Sequence, residues 1–397
     1  MASSLPVRTP LLPVITDTLL ALLCLAPFLA PSTLAWNIQL QAVMVTLMGL
    51  VAWTALPYSA VLKKLPRVGH ILLIGYLVGC GLSLLSGSVV RNIFGETLQH
   101  LGIPVLVACV GCGLLLSRLE ASRLVRWLYG TCLALALTAL PDIFSLMHSA
   151  RRVSGIFHQP DFLAVFLALG LLLGIGLWQL HPRLRRQIVI AQAVLLLVLL
   201  LTQSRAVILL LVILVIGMLC RSRLPWRCRA LVSLLIVGSL ALASTATQTV
   251  LNNRLSDAGF AGQSLHYRVE LVAYGLRASS HRPLGYGAGG ISTALNCPSL
   301  RASRELSLTC RQGYYFTSSH NVFIDRLLAV GWIGGVAFAG FVGWALWRGR
   351  GQRQPADIVL WYGALLLAAY CCTNITNLEI ELVLWVCLLR PFNLRGK

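Results

Sequence analysis

The sequence predicts an all-α, polytopic membrane protein, because its composition and the spacing of its apolar runs point the same way. Of the 397 residues, 57% are hydrophobic and only 11% are charged. A soluble domain carries roughly 25% charged residues. A chain of this length with so few charges cannot cover a surface that faces water. The composition therefore excludes a soluble enzyme and favours helices that cross a membrane.

Polar breaks divide the apolar runs into twelve predicted spans, which form a single transmembrane domain over residues 1–397. Most runs are close to the roughly 20 residues that a helix needs to cross the hydrocarbon core. No internal repeat or low-complexity linker divides the chain. The predicted spans are 11–31, 37–57, 68–88, 102–117, 127–147, 161–180, 187–203, 206–220, 230–248, 321–346, 356–372 and 379–392.

The distribution of basic residues predicts the orientation of these spans. The chain has 32 Lys and Arg against 12 Asp and Glu, a formal net charge of +20. Positive charge retains loops in the cytoplasm, which accounts for the excess without a nucleic-acid partner. The basic loops lie on one side of the predicted bundle, so we expect both termini in the cytoplasm. The opposite side carries short turns and one long insert, 249–319, between predicted spans 9 and 10.

Four polar segments lie at the predicted outer face, and the first contains Arg205. This residue interrupts an apolar stretch from Ile188 to Cys220. As one helix the stretch would be about 50 Å long, too long for a single crossing. A tight turn is therefore expected at residues 202–205. Arg205 either reaches lipid phosphates from the membrane boundary or binds a diphosphate there.

The second segment opens the tenth predicted span with His320. An unperturbed pKa of about 6.5 makes an imidazole a candidate proton acceptor near neutral pH. The alternative is that Ser318 or Ser319 caps the helix and His320 simply follows it. Asp325 and Arg326 lie one to two turns deeper. We expect them to form a buried pair or to bond to neighbouring helices.

The third segment is the long insert. Residues 264–279 have a helical pattern and run into the glycine-rich stretch 283–290. Glycines let a backbone approach a ligand closely, and a flexible re-entry loop is the alternative. No strand surrounds the glycines, so a dinucleotide fingerprint is excluded. Cys297 and Cys310 could form a disulfide in an oxidising compartment.

The fourth segment, residues 151–164, places Arg151 and Arg152 on the outer side against the positive-inside pattern. Asp161 lies at the predicted start of the next helix. A carboxylate there is favourable to the helix dipole, and capping alone would account for it. The two arginines have no such simple explanation.

Taken in chain order, the four segments resemble the O-antigen ligase and polymerase superfamily, which includes bacterial protein O-oligosaccharyltransferases. The likeness spans residues 150–345 and fits the size and the predicted twelve-span layout. The matching patterns are Arg-Val-x-Gly-x-Phe-x-Gln-Pro-Asp-x-Leu-Ala at 152–164, Thr-x-Ser-Arg at 202–205, Tyr-Arg…Arg-Pro-Leu-Gly-x-Gly at 267–287 and Ser-His-Asn-x-Phe-x-Asp-x-Leu…Gly-x-x-Gly at 319–334.

The resemblance implies a GT-C-like glycosyltransferase at the periplasmic face of the bacterial inner membrane, with 249–319 as a periplasmic insert. The donor would be a glycan on undecaprenyl diphosphate, and no metal or other cofactor would be required. Arg205 and Arg268 match the family's essential arginines, which would hold the diphosphate. His320 matches its essential histidine, the base for the acceptor hydroxyl.

Further residues of these segments are expected to contact the substrates. At Asp161 the sequence departs from the family pattern, because relatives commonly have Asn at this position. The candidate substrate-binding residues are Arg151, Arg152, Gln159, Asp161, Arg282 and Asn321.

Three functions remain as alternatives. The first is a ligase that transfers the glycan to lipid A-core. The second is an O-antigen or exopolysaccharide polymerase, or a protein O-oligosaccharyltransferase. The third, from a different class, is a transporter of lipid-linked glycans. Transporters carry charges near the membrane midplane on broken helices. The predicted spans are nearly free of charge at that depth, which favours the enzyme.

Overall fold

The structure, a computed structural model, is built from α-helices. It describes residues 11–29, 35–56, 65–86, 89–95, 101–146, 152–157, 159–221, 259–295, 316, 318–374 and 376–392. No strand occurs in these residues, in agreement with the predicted all-α class. The helices are α1 Leu11–Leu25, α2 Ala35–Ala55, α3 Arg67–Ser83, α4 Val89–Phe94, α5 Ile103–Leu116, α6 Ala121–Leu137, α7 Leu140–Leu146, α8 Pro160–Leu180, α9 Arg185–Thr202, α10 Arg205–Arg221, α11 Gly259–His281, α12 Ile291–Ala294, α13 Val322–Gly349, α14 Pro355–Cys371 and α15 Leu378–Leu389.

Most of the described helices fall where the apolar runs predict spans, whereas α4, α11 and α12 lie outside the predicted spans. Four helical stretches are long and apolar enough to cross a membrane, and five shorter apolar helices accompany them. The expected turn between the seventh and eighth spans is confirmed, because α9 ends at Thr202 and α10 begins at Arg205. The predicted span 230–248 lies outside the described residues, so the count of twelve stays a prediction.

Helix α8 lies at the centre of the described bundle and packs against α6, α9 and α14. Helices α3, α13 and α15 meet around the buried ring of Trp385. Its centroid lies 5.6 Å from the ring of Tyr76, 5.9 Å from that of Phe338 and 5.3 Å from that of Phe341. Such ring pairs add to the energy of burial alone.

Polar contacts identify the two ends of the bundle. Arg152 donates hydrogen bonds both to Asp161 at the start of α8 and to Thr202 at the end of α9. Asn321, just before α13, donates a hydrogen bond to Cys372, just after α14. We call this the site end, because all four segments singled out in the sequence reach it. At the opposite end, Arg390 Nε lies 2.8 Å from Asp357 Oδ1 and ties the end of α15 to the start of α14.

Helix α13 is interrupted at Gly331, where the sequence predicts a continuous span. This residue has φ 71° and ψ −176°. Three backbone hydrogen bonds of 2.6, 3.1 and 2.8 Å join residues 328–332 at the break to residues 283–287 after α11. They satisfy polar groups that the break removes from the helix. Part of the glycine-rich stretch therefore pairs with a broken helix.

One ion pair is buried inside the bundle. Arg326 Nη2 of α13 lies 2.9 Å from Glu381 Oε1 of α15, and the side chains are 2% and 0% exposed. Of the expected alternatives, Arg326 therefore bonds to a neighbouring helix and does not pair with Asp325. The expectation of nearly uncharged spans is wrong here, since packing brings together two charged side chains from apolar runs that are far apart in the sequence.

Gly285 provides a test of the contact between the loop and the broken helix. It has φ +88°, and an added Cβ would lie 2.6 Å from Gly331 N and 2.7 Å from Ala329 O. We expect Gly285→Ala to cost about 1–3 kcal/mol of stability, because the conformation and the contact both exclude a side chain. The control is Gly343→Ala in α13, where nothing lies within 4 Å of the new Cβ.

Thermal unfolding in detergent, followed by circular dichroism, measures both variants. Gly343→Ala should unfold at or above the wild-type temperature, because alanine favours a helix. Equal unfolding temperatures for the two variants would contradict the pairing of the loop with the break.

Candidate functional site

The turn between α9 and α10 presents Arg205 at the site end. Gln203 closes α9 in the left-handed conformation, with φ 53° and ψ 29°. This conformation is uncommon for a residue other than glycine. Arg205 is the first residue of α10, and its side chain is exposed. The guanidinium group is therefore accessible to a ligand at this end of the bundle.

A polar cluster fixes this turn against the start of α8. Arg152 Nη2 lies 2.9 Å from Asp161 Oδ1, and Arg152 Nε donates to Thr202 O at 2.8 Å. Ser204 Oγ donates to the same Asp161 oxygen at 2.7 Å. Asp161 lies in the first turn of α8, as the sequence predicts. Its carboxylate also anchors the residue that precedes Arg205, which a capping role alone does not explain.

His320 lies at the start of α13 in a conformation that its neighbours hold. Its φ is +58°, in the left-handed region. The buried carboxylate of Asp325 accepts hydrogen bonds from Ser318 Oγ at 2.5 Å, Ser319 N at 2.7 Å and Ser319 Oγ at 2.8 Å. His320 N donates to Ser318 Oγ at 2.9 Å. A strained residue persists only where its surroundings fix it, and such residues cluster at functional sites.

Asn321 is the N-cap of α13. Its side-chain oxygen accepts hydrogen bonds from two backbone N–H groups of the first turn, at 3.0 and 3.3 Å. Its Nδ2 donates to Cys372 O at 2.9 Å. The alternative in which Ser318 or Ser319 caps this helix is therefore wrong, because the two serines bond to Asp325 instead. Asn321 has a structural role here besides its predicted contact with substrate.

Arg268 of α11 lies beside His320. Arg268 Nη1 donates to Thr373 O at 2.7 Å and lies 3.5 Å from Asn374 Oδ1, which places the guanidinium at the end of α14. Burial and the positive charge of Arg268 lower the pKa of His320 to about 4. Both effects disfavour the imidazolium form. His320 is therefore neutral at pH 7 and is able to accept a proton.

Tyr370 of α14 is a buried side chain at the site end that both the Arg152–Asp161 cluster and the Arg268–His320 pair influence. Its side chain is fully buried, and its hydroxyl has no hydrogen-bond partner among the described residues. The charges of Asp161 and Arg268 both act on this hydroxyl. The charges of the Arg152–Asp161 cluster and of the Arg268–His320 pair therefore both reach this side chain. The sequence offered no signal for Tyr370, which lies in an ordinary apolar run.

The remaining candidate residues are less closely connected. Gln159 occupies the N-cap position of α8, but its side chain makes no capping hydrogen bond. Arg282 is not brought to His320, because the continuous helix α11 separates it from Arg268 by about 20 Å at 1.5 Å per residue. Arg151 lies outside the described residues, as do both cysteines of the expected disulfide, Cys297 and Cys310.

Residues 190–339 match the model of the Wzy_C family, described as O-antigen ligase. The matched region runs from α9 into α13 and contains Arg205, Arg268 and His320. The match confirms the resemblance to the ligase and polymerase superfamily and indicates a membrane glycosyltransferase of this type. No curated protein matches the chain.

The pKa of His320 tests the electrostatics of the site. In ¹³C-histidine-labelled protein, with the signal assigned by His320→Gln, we expect titration at about pH 4. Arg268→Ala should raise this pKa, because a neighbouring positive charge is removed. The pKa of His320 in this variant should still lie below the ordinary 6.5, because His320 remains buried. Arg277→Ala, an exposed arginine on the same helix, is the control and should leave it unchanged. A wild-type pKa near 6.5 would contradict the arrangement.

Proposed function

We propose that the protein is an O-antigen ligase of the inner membrane. It transfers a glycan from undecaprenyl diphosphate to a hydroxyl group of lipid A-core on the periplasmic face. The observation that carries the proposal is the neutral His320 beside the guanidinium of Arg268, at the end of the bundle where Arg205 is exposed. A base and two cations are the groups that this transfer needs.

The arginines bind the leaving group. Negative charge builds up on the diphosphate as its bond to the sugar breaks, and fixed guanidinium groups stabilise that charge. Arg205 is held by the turn that Asp161 anchors, and Arg268 is held by the end of α14. The guanidinium of Arg268 is thus held before the donor arrives, and the backbone of the turn sets the position of Arg205.

His320 accepts the proton of the acceptor. The acceptor oxygen forms a bond to the anomeric carbon, and the bond from that carbon to the diphosphate oxygen breaks. The electron pair leaves with the diphosphate, and the hydroxyl proton moves to the imidazole. The depressed pKa keeps the imidazole available as a base, and the anionic donor opposes part of the depression once it is bound. The imidazolium then returns its proton to water.

The carboxylates at the site end support this mechanism. Glycosidases use a pair of carboxyl groups as acid and base or nucleophile. Here Asp161 is occupied by Arg152 and Ser204. Asp325 is occupied by two serines. Because diphosphate is a good leaving group, the transfer needs no protonating acid, and both carboxylates serve to position other residues.

A transfer assay tests the proposal. Purified protein in detergent receives undecaprenyl-diphosphate glycan, lipid A-core and EDTA. His320→Ala should lower kcat by about 10²–10⁴-fold, as expected for a general base. Arg205→Ala should lower it by about 10²–10³-fold through loss of charge stabilisation. Arg277→Ala is the matched control and should retain wild-type activity.

The product identifies the reaction. Glycan-bearing lipid A supports the ligase. A lengthened donor with unmodified lipid A would indicate a polymerase, and a glycosylated protein acceptor would indicate an oligosaccharyltransferase. Wild-type rates in both His320→Ala and Arg205→Ala would overturn the assignment of the site.

Asp325 is a positioning residue in this mechanism, since it acts on His320 through Ser318 and Ser319. Asp325→Asn should lower kcat by about 10–100-fold by displacing the base. The KM for the donor should not change, because the arginines stay in place. Ser319→Ala removes part of the same contact and should act in the same direction, more weakly. A raised donor KM with an unchanged kcat would contradict this role.

A further inference from the structure

A second cationic cavity lies apart from the site of His320, between α4 and the loop that follows α11. Its volume is about 180 Å³. Along α11, the residue before Arg282 lies about 20 Å from Arg268. The cavity is lined by Arg91, Asn92, Arg282, Tyr286, Gly289 and Thr293.

The walls of the cavity are fixed. Asn92 is buried and donates through Nδ2 to Ser83 O at 3.0 Å, which ties α4 to the end of α3. Tyr286 is held at both ends, since its backbone N–H pairs with the break in α13 and its hydroxyl donates to Ala278 O at 3.2 Å. A Cβ on Gly289 would lie 2.3 Å from Arg91 O, so the loop contacts α4 directly. The cavity is thus formed before any ligand binds.

The charges in the cavity favour an anion. Arg91 and Arg282 are both exposed, and neither forms an ion pair within the described part of the chain. The Cζ atom of Arg282 lies 4.9 Å from the ring centroid of Tyr286, which orients the planar guanidinium. The described lining includes no carboxylate. Two guanidinium groups at a small cavity suit a phosphate, which accepts hydrogen bonds from both.

The surroundings indicate that the phosphate belongs to a lipid. Large apolar side chains just after α3 and on α4, the helix that carries Arg91, are exposed: Leu85 by 80%, Val90 by 65% and Phe94 by 64%. A short helix with exposed apolar residues and an arginine is typical of a segment that lies in the headgroup region of a membrane. A lipid bound here would place its phosphate at the arginines and its chains against these residues.

We propose that this cavity binds the phosphate of a membrane lipid and is a second anion site, separate from that of Arg205, Arg268 and His320. The site adds to the proposed function and does not depend on it. A lipid held here occupies the end of α11 opposite Arg268. Its chemical class is a lipid with a phosphate headgroup.

Photo-crosslinking tests the site in the full-length protein in detergent. The probe is phosphatidic acid with a diazirine near the headgroup, and crosslinked peptides are mapped by mass spectrometry. We expect crosslinks in residues 89–95 and 284–293. Arg91→Gln and Arg282→Gln should each reduce the yield there at least about tenfold, through loss of charge-assisted hydrogen bonds. The control Arg277→Gln removes an equal charge elsewhere on α11 and should retain the wild-type yield.

A variant that keeps both arginines distinguishes binding in the cavity from general attraction to a positively charged surface. Thr293→Trp fills the cavity and should also abolish the crosslinks, and thermal unfolding confirms that each variant is folded. Equal yield from the matching diacylglycerol probe, which has no phosphate, would overturn the proposal. Displacement of the lipid by millimolar inorganic phosphate would also overturn it. So would a wild-type crosslinking yield from Thr293→Trp, or from both Arg91→Gln and Arg282→Gln. Since no glycan transfer is measured, these outcomes are independent of the ligase proposal.

Discussion

The backbone pairing between the broken helix α13 and the loop after α11 is the contact on which the site end depends. Residues 328–332 and 283–287 exchange the hydrogen bonds that a continuous helix would have made internally. This pairing fixes the first turns of α13, which carry Asp325 and directly follow His320. It also fixes the end of α11, the helix that carries Arg268. Without it, these buried backbone groups would lack hydrogen-bond partners, which is costly.

The electrostatics of the site follow from an imbalance between cations and free carboxylates. Asp161 and Asp325 are occupied by hydrogen bonds, whereas Arg205 is exposed and Arg268 lies beside His320. Burial keeps the imidazole of His320 neutral, and the excess of positive charge, through Arg268, acts in the same direction. The same excess attracts an anionic donor. One arrangement therefore provides both a base and a binding site for a diphosphate.

The buried pair of Arg326 and Glu381 has a different role, since it lies within the core and next to the aromatic cluster. Arg326 Cζ lies 5.7 Å from the ring centroid of Phe338, which packs on Trp385. Breaking such a pair is costly, because one buried charge then lacks a partner. The pair thus fixes α13 against α15 directly below the turn that positions His320.

The sequence by itself determined the all-α class, the places of most described helices, the turn at 202–205 and the segments that meet at the site end. Each of these depends on local composition, which is readable along the chain. Only the tertiary structure decided that Arg326 pairs with Glu381, that the charges of Asp161 and Arg268 both act on Tyr370, and that α13 is broken where it meets the loop after α11. These features depend on contacts between residues far apart in the chain. Hydrophobic periodicity fixes where a helix begins and ends, and packing against its neighbours fixes which side chains meet.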